Sequence, residues 1–223
     1  IMHLTIQKIA AIRNEIKEIF NKTQLKTDFP EIIAVCKTFS HTSILPLLEI
    51  GHIHFGENKI QEAGAKWPEL LEKYPNTKLH FLGKLQSNKA KKAVQLFDYI
   101  HSLDSEKLAK ILKEKQNEQN KRLKFFIELN MADEEQKSGI LENELSDFYN
   151  YCKHELDLDV VGLMCIPPFN ENSEKYFKKI KMIANALKIK NLSMGMTSDY
   201  KKAIMHGSNF LRIGTAIFGE RKN

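Results

Sequence analysis

Two stretches near the carboxyl end of the chain combine glycine with hydroxyl side chains in a way that suits a bound phosphate. Gly214 and Thr215 follow a short apolar run and open a helical pattern, and Ser193 to Asp199 form a second turn of this kind. Free backbone N–H groups at a helix start bind anions, and a hydroxyl adds a further donor. The same residues also serve as ordinary helix caps, so both interpretations stay open at this point.

Two basic residues occupy positions where an ordinary surface side chain is not expected. Lys37 ends a short apolar run and shares the strand alternation of Ile33 and Val35. A lysine that is partly removed from water has a lowered pKa and can attack an aldehyde, although a lysine that simply leaves a strand for solvent looks the same. Arg212 lies inside an apolar run and needs a ligand or an acidic neighbour, because its charge is costly to bury unpaired. We favour a ligand, since the phosphate-like turn begins two residues later.

The sequence gives little support for a metal site. His52 and His54 form an H-x-H pair of the kind that some barrel-shaped metal hydrolases use. Such a site also needs a carboxylate from the last strand, and the last strand-like run of this chain offers Arg212 instead. No HExxH or Walker motif is present. We therefore predict that no metal is bound.

Composition narrows the class of partner. The chain has 223 residues, 42% hydrophobic and 28% charged, which are values of a globular protein. Its net charge of +6 admits nucleic acid, an anionic surface or a phosphorylated small molecule. Because the basic excess is lysine, with only four arginines, we predict no nucleic-acid partner. We also predict no membrane partner, since no apolar run reaches membrane-spanning length.

Cysteine usage and the first residues favour the cytoplasm. Cys36, Cys152 and Cys165 are odd in number and widely spaced, which argues against a disulfide framework. Charged residues interrupt the opening segment, so it is not read as a signal peptide. Its apolar residues recur at helical spacing and predict an N-terminal helix that ends near Asn21.

Strand-like and helical patterns alternate along the rest of the chain. The strand-like runs are Glu31–Lys37, His52–Phe55, Leu79–Leu82, Tyr99–Leu103, Phe125–Leu129, Val160–Met164, Leu192–Met194 and Phe210–Ile213. The helical patterns between and after them are Ser43–Ile50, Lys59–Leu71, Lys89–Phe97, Glu106–Asn120, Glu142–His154, Ser173–Leu187 and Asp199–His206, with a short one after Gly214. Eight such units predict an α/β fold, a single (β/α)8 TIM barrel over residues 1–223 with an extra N-terminal helix. An open doubly wound sheet is the alternative.

Several longer motifs in fixed order resemble one known family. The matching segments are Ala34–Thr38, Phe55–Asn58, His80–Lys89, Gln136–Gly139, Gly162–Pro167, Ser193–Asp199 and Arg212–Gly219. They resemble the pyridoxal phosphate homeostasis protein family, PLP-binding proteins of the YggS/PROSC type whose fold is like the barrel domain of bacterial alanine racemase. The resemblance covers nearly the whole chain.

The resemblance implies a role for each residue that it places at the site. Lys37 would form a Schiff base with pyridoxal 5'-phosphate, and Arg212 would face the pyridine nitrogen. The residues implied to hold the phosphate are Ser193, Thr197, Gly214 and Thr215, and those implied to line the ring are Asn58 and Met164. The sequence leaves the roles of Cys36, His80 and Lys137 open.

The family further implies a non-catalytic protein of intracellular PLP homeostasis that buffers the cofactor or delivers it to apo PLP-dependent enzymes. A PLP-dependent amino-acid racemase is the alternative. We expect no efficient turnover, because arginine would leave the pyridine nitrogen unprotonated and the 223 residues are used up by the barrel. We expect the protein to be a monomer.

Overall fold

The computed structural model describes residues 3–23, 25–131 and 138–220. Eight parallel strands pair in sequence order, and the last pairs with the first to close a barrel. The strands are β1 Glu31–Val35, β2 His54–Glu57, β3 Lys78–Phe81, β4 Tyr99–Leu103, β5 Lys124–Glu128, β6 Asp159–Met164, β7 Asn191–Met196 and β8 Phe210–Ile213. The predicted TIM barrel is confirmed, and the closed pairing rules out the open doubly wound sheet.

Helices surround the strands in the alternating order that a parallel barrel requires. They are α1 Leu4–Thr23, α2 His41–Glu49, α3 Ile60–Lys66, α4 Pro68–Lys73, α5 Ala90–Leu96, α6 Glu106–Gln119, α7 Leu145–Asn150, α8 Ser173–Ala186, α9 Tyr200–Met205 and α10 Thr215–Phe218. A π-helical turn at Tyr151–Glu155 extends α7. The extra N-terminal helix is confirmed, and it packs its buried isoleucine face against α2, α9 and α10.

One predicted helix is divided in the structure. The pattern over Lys59–Leu71 forms α3 and α4, which meet at Trp67. Pro68 is the first residue of α4. Proline has no N–H to continue the preceding helix but is well tolerated at a helix start. The fully buried Trp67 ring fills the joint and packs against Phe55 with the ring centroids 5.2 Å apart.

The apolar side chains form two separate clusters. The large cluster lies between the strands and the helices. The small one combines Tyr99, Phe126 and Met164, with Phe210 packed against it. Barrel interiors are usually filled by branched aliphatic residues, but this one also holds the buried imidazoles of His80 and His101.

Among the helices of the described ranges, none is long and apolar enough to cross a membrane.

Candidate functional site

A cavity of about 390 Å³ opens at the carboxyl ends of the strands, which is where barrel enzymes hold their ligands. Its volume lies within the range of small-molecule sites. Residues from β1, β7 and β8 and from the segments after β1, β2, β3, β6, β7 and β8 converge on it. They are Val35, Lys37, Phe39, Asn58, Leu82, Ile166, Met196, Thr197, Ser198, Arg212, Gly214 and Thr215.

Lys37 lies two residues beyond the end of β1 and is half-buried. Val35 and Lys37 both line the cavity, as the strand alternation predicted. Cys36 points the other way, into the layer between strands and helices. Burial raises the pKa of the Cys36 thiol well above its ordinary value, and the neighbouring Glu57 carboxylate raises it further. Cys36 is therefore a packed thiol rather than a nucleophile.

A buried ion-pair network supports the backbone on both sides of Lys37. The Lys66 ammonium donates to Glu57 Oε1 at 2.7 Å and to Glu62 Oε1 at 3.1 Å. It also donates to the Cys36 carbonyl at 3.0 Å, just before Lys37. The Thr38 N–H, just after Lys37, donates to Glu62 Oε1. The network thus fixes the chain direction from which the Lys37 side chain leaves the strand.

Thr38 carries unusual backbone geometry within this network. Its φ is +68°, in the left-handed region that β-branched residues rarely adopt. Burial acts to raise the pKa of Glu62, but hydrogen bonds from Thr38 and Lys66 outweigh it and lower that pKa. The ionised Glu62 carboxylate is thus the acceptor that holds Thr38 in place.

Sequence reasoning missed this network. Glu57 is fully buried and Lys66 nearly so, and Glu57 Oε1 also accepts from Trp67 Nε1 at 2.9 Å. The available signal was a carboxylate at the end of a buried strand, inside the motif Phe55–Asn58. The sequence could not show which cation meets that carboxylate.

Arg212 is held by neutral oxygen atoms. Its Nη1 donates to the Ser193 carbonyl at 2.6 Å and to Ser193 Oγ at 2.7 Å, and its Nη2 donates to the Cys165 carbonyl at 2.9 Å. In the described part of the chain, no carboxylate lies within ion-pair distance of this buried guanidinium. Asp199 and Glu128 act on Arg212 only from beyond that distance, and Arg212 reaches the cavity as a cation.

The two glycine- and hydroxyl-containing turns meet at one side of the cavity. Thr197, Gly214 and Thr215 line it, and the Ala216 N–H donates to Thr197 Oγ1 at 3.4 Å. A Cβ on Gly214 would lie 3.2 Å from the Val35 carbonyl, so glycine permits this close approach of β8 to β1.

Two residues expected at the site lie beneath it. Ser193 is fully buried, outside the cavity lining, and its hydroxyl contacts Arg212 and His101 Nδ1. Met164 packs in the small interior cluster. The strand register explains both positions, because Met164 pairs with Ser193 whereas Arg212 pairs with Met196, nearer the mouth. The structure places the Ser193 hydroxyl inside the barrel, against Arg212 and His101, and its expected phosphate contact stays a prediction.

Asn58 lines the cavity, and its buried Oδ1 has no hydrogen-bond partner within the described ranges. Gly83 packs directly behind it, since a Cβ there would lie 2.3 Å from the Asn58 carbonyl oxygen. Lys137, in the motif Gln136–Gly139, lies outside the described residues.

Within residues 3–23, 25–131 and 138–220, no group of His, Cys, Asp and Glu side chains could hold a metal ion. The two histidines of the H-x-H pair have other partners, because His52 Nδ1 contacts Arg13 at 2.9 Å and His54 Nδ1 contacts His80 at 2.8 Å. All three cysteines are buried and free.

Comparison with known proteins first defines a class. The family model described as "Alanine racemase, N-terminal domain" matches residues 8–222. Alanine racemase from Clostridium difficile shares the fold with a TM-score of 0.69 at 12% identity, over 95% of this chain and 57% of that one. Fold and site thus define a barrel protein of the alanine racemase N-terminal type.

Curated relatives then narrow the class to a family. The pyridoxal phosphate homeostasis protein of Pasteurella multocida is 34% identical, over 96% of this chain and 97% of that protein. PipY of Synechococcus elongatus, solved with PLP bound, has a TM-score of 0.84 at 32% identity, over 96% of this chain and 100% of that one. The chain belongs to the pyridoxal phosphate homeostasis protein family.

Proposed function

We propose that this protein binds pyridoxal 5'-phosphate and serves PLP homeostasis, buffering or delivering the cofactor without efficient turnover. The observation that carries the proposal is the lining of the cavity at the barrel mouth. There a lysine, an arginine and the hydroxyls of two turns share one concave surface. Membership in a family whose curated relatives are named for PLP homeostasis supports the same conclusion.

The chemistry of this lining fits the cofactor. A phosphate ester needs N–H and O–H donors, which the turns at Thr197 and Gly214–Thr215 supply. A planar heteroaromatic ring needs apolar walls and a few polar contacts, and here Leu82, Ile166 and the unpartnered Asn58 Oδ1 provide them. When bound, PLP supplies an aldehyde that condenses with an amine and a ring that accepts electrons.

Each residue of the lining then has a distinct task. Lys37 would hold the aldehyde carbon as a Schiff base, with its backbone fixed by Lys66 and Glu62. Thr197, Gly214 and Thr215 would hold the phosphate, and Asn58 would contact the ring. Arg212, anchored from below, would direct a guanidinium N–H at the pyridine nitrogen.

The same residues argue against efficient turnover. Arginine does not give up its proton, so it keeps an acceptor nitrogen unprotonated and the ring a weak electron sink. A racemase also needs proton-transfer groups on both faces of the substrate carbon. Among the described residues that line the cavity, Lys37 is the sole side chain of a type that serves as acid or base in catalysis, since the others are apolar groups, hydroxyls, an amide and a guanidinium. A missing acid or base lowers the rate by about 10²–10⁴-fold.

Borohydride reduction of the PLP-loaded protein, followed by peptide mapping, tests the binding site. We expect the reduced adduct on Lys37, and none after Lys37→Ala. An adduct wholly on another lysine, such as Lys137, would contradict the assignment.

Paired hydroxyl deletions test the phosphate contacts. Thr197→Val combined with Thr215→Val should weaken PLP binding by about 1–3 kcal/mol, the value of lost hydrogen bonds to a charged group. The exposed Thr42→Val variant is the control and should bind PLP normally. Pyridoxal without its phosphate should bind much more weakly than PLP, and equal affinities would refute this placement.

Turnover is tested by deuterium exchange at Cα across a panel of L- and D-amino acids. We expect negligible exchange together with transfer of PLP to an apo-enzyme. Exchange at enzyme-like rates that Lys37→Ala abolishes would favour the racemase instead.

Four further expectations stay predictions. They are the single unit over residues 1–223, the monomeric state, the cytoplasmic location and the apo-enzyme partners.

A further inference from the structure

A continuous chain of polar side chains runs through the barrel interior beneath the cavity. His54 Nδ1 and His80 Nε2 are 2.8 Å apart, and His80 Nδ1 and His101 Nε2 are 2.9 Å apart. His101 Nδ1 lies 2.8 Å from Ser193 Oγ, which also accepts from Arg212 at 2.7 Å. The chain thus crosses the barrel from β2 to β8 and ends at a residue of the candidate site.

The other end of the chain lies near solvent at the amino-terminal end of the barrel. His54 Nε2 is 3.8 Å from Oε2 of Glu31, whose side chain is 56% exposed at the start of β1. The chain of polar side chains therefore has an acceptor, the Glu31 carboxylate, at one end and a donor, the Arg212 guanidinium, at the other.

Arg212 gives the chain a direction, because a guanidinium has donors only. It donates to Ser193 Oγ, and His101 Nδ1 is the acceptor that lies within reach of the hydroxyl proton, so we place this proton toward His101 Nδ1. Each imidazole that accepts at Nδ1 must then donate from Nε2 to the next residue. The last Nε2–H, on His54, points toward the Glu31 carboxylate.

The opposite direction is unfavourable at both ends. It would present a lone pair of His54 Nε2 to the Glu31 carboxylate. It would also place a proton on His101 Nδ1, which could then no longer accept the hydroxyl proton of Ser193. A buried donor without an acceptor costs about 1–3 kcal/mol.

The surroundings keep the rings neutral and in place. His80 stacks on Tyr99 and His101 on Phe126, each with ring centroids 4.2 Å apart. Burial lowers the pKa of His80 and of His101 well below the ordinary histidine value, and the nearby Arg212 cation lowers the pKa of His101 further. A neutral imidazole has one donor and one acceptor, which is what each position in the chain requires.

We propose that His54, His80, His101 and Ser193 are positioning residues that orient Arg212 and stabilise its charge. Each ring turns its electron-rich Nδ1 toward the guanidinium and its Nε2–H toward Glu31. The aligned imidazole dipoles therefore stabilise the positive charge of Arg212, as a carboxylate counter-ion would. Hydrogen bonds in such a chain also strengthen one another. The consequence for the cofactor rests on the proposed function.

Nuclear magnetic resonance of the imidazole nitrogens tests the direction without any cofactor. We expect His54, His80 and His101 to be neutral and protonated at Nε2 between pH 6.5 and 8, with assignments from single His→Gln variants. Protonation at Nδ1, or a charged ring, in any of the three would overturn the proposal.

Ser193→Ala tests the link to Arg212, because it removes the contact that sets the direction. We expect a mixture of tautomers at His101, a shift of the Arg212 side-chain resonances and about tenfold weaker PLP binding, as for one lost hydrogen bond to a charge. Unchanged tautomers and unchanged Arg212 resonances would refute the link.

Glu31→Leu is a gentler variant in case Ser193→Ala fails to fold, since Glu31 is exposed and leucine leaves His54 Nε2–H without this acceptor. It should shift the His54 tautomer and the absorbance of bound PLP, whereas the control His206→Gln, at the surface ion pair with Glu174, should change neither. No change at His54 in the Glu31 variant would overturn the coupling. Ordered Nε2–H tautomers in a protein that forms no adduct on Lys37 would support the chain and refute only the proposed function.

Discussion

Replacing Lys66 with methionine should destabilise the protein and also loosen the cofactor lysine. The Lys66 side chain is 8% exposed and lies 2.7 Å from Glu57, which is fully buried. Methionine keeps most of the volume but leaves the Glu57 carboxylate buried without its cation. Removing one partner of a buried pair costs about 3–5 kcal/mol. We expect a loss of this size in the free energy of unfolding.

The effect should extend to Lys37, because Lys66 also holds the Cys36 carbonyl and Glu62. Once Lys66 is gone, Glu62 alone holds the backbone after Lys37. PLP should dissociate faster from the Lys66→Met protein even at urea concentrations where the protein remains folded.

Urea unfolding monitored by far-UV circular dichroism measures the first effect, and the decay of PLP absorbance after dilution measures the second. The control is Lys179→Met, which breaks an ion pair of 2.6 Å with Glu142 in which both side chains are about half exposed. Such surface pairs contribute about 0–1 kcal/mol. The double variant Glu57→Gln with Lys66→Met should regain part of the stability, since no unpaired charge is then buried.

A Lys66→Met protein as stable as the Lys179→Met control would refute the reasoning about the buried pair. A protein that is destabilised as expected but releases PLP at the wild-type rate would show that the network supports the fold and does not position Lys37.

Three further changes have defined outcomes. Lowering the pH from 6.5 should reduce the free energy of unfolding by about 1.4 kcal/mol per pH unit for each buried histidine. Burial and the nearby Lys78 lower the pKa of His54 in the folded protein to about 4. The unfolded chain therefore binds protons at a higher pH than the folded protein does. Burial raises the pKa of Glu31, Asp104 and Glu128, and with the neighbouring Asp104 that of Glu128 reaches about 7. These opposing carboxyls should not cancel the loss from His52, His54, His80 and His101, so equal urea midpoints at pH 7.5 and 5 would contradict the argument. Gly83→Ala should destabilise the protein and weaken PLP binding, since its Cβ would overlap the backbone behind the cavity, whereas Gly64→Ala, in open space on α3, should stabilise by about 0.5–1 kcal/mol in the same urea assay. Thr38→Gly should remove the strain of the left-handed conformation at this position and raise the free energy of unfolding by about 1 kcal/mol. PLP should dissociate faster from this variant. A loss of stability would show that Thr38 is unstrained.

The order of strands and helices could be predicted from local sequence. Short apolar runs alternate with helical patterns, and each pattern depends on neighbouring residues only. All eight strand-like runs contain the observed strands or overlap them. The side of β1 from which Lys37 emerges also followed from the sequence, because successive side chains of a strand alternate. The division of the helix at Trp67 was locally visible as well, in the proline that follows it.

What lies around the cavity depended on contacts between distant segments. Alternation tells on which face of a strand a residue lies but not its depth in the barrel, which the register between strands sets. Ser193 therefore points into the barrel but lies at the level of Met164, beneath Arg212.

The partners of the buried polar groups were likewise decided by the tertiary structure. Glu57, at the end of β2, meets Lys66, at the end of α3. His54, His80 and His101 come from three strands, and Ser193 joins them from the far side of the barrel. No spacing along the chain encodes these contacts, because they form only when β8 closes on β1 and the two halves of the barrel face each other across its interior.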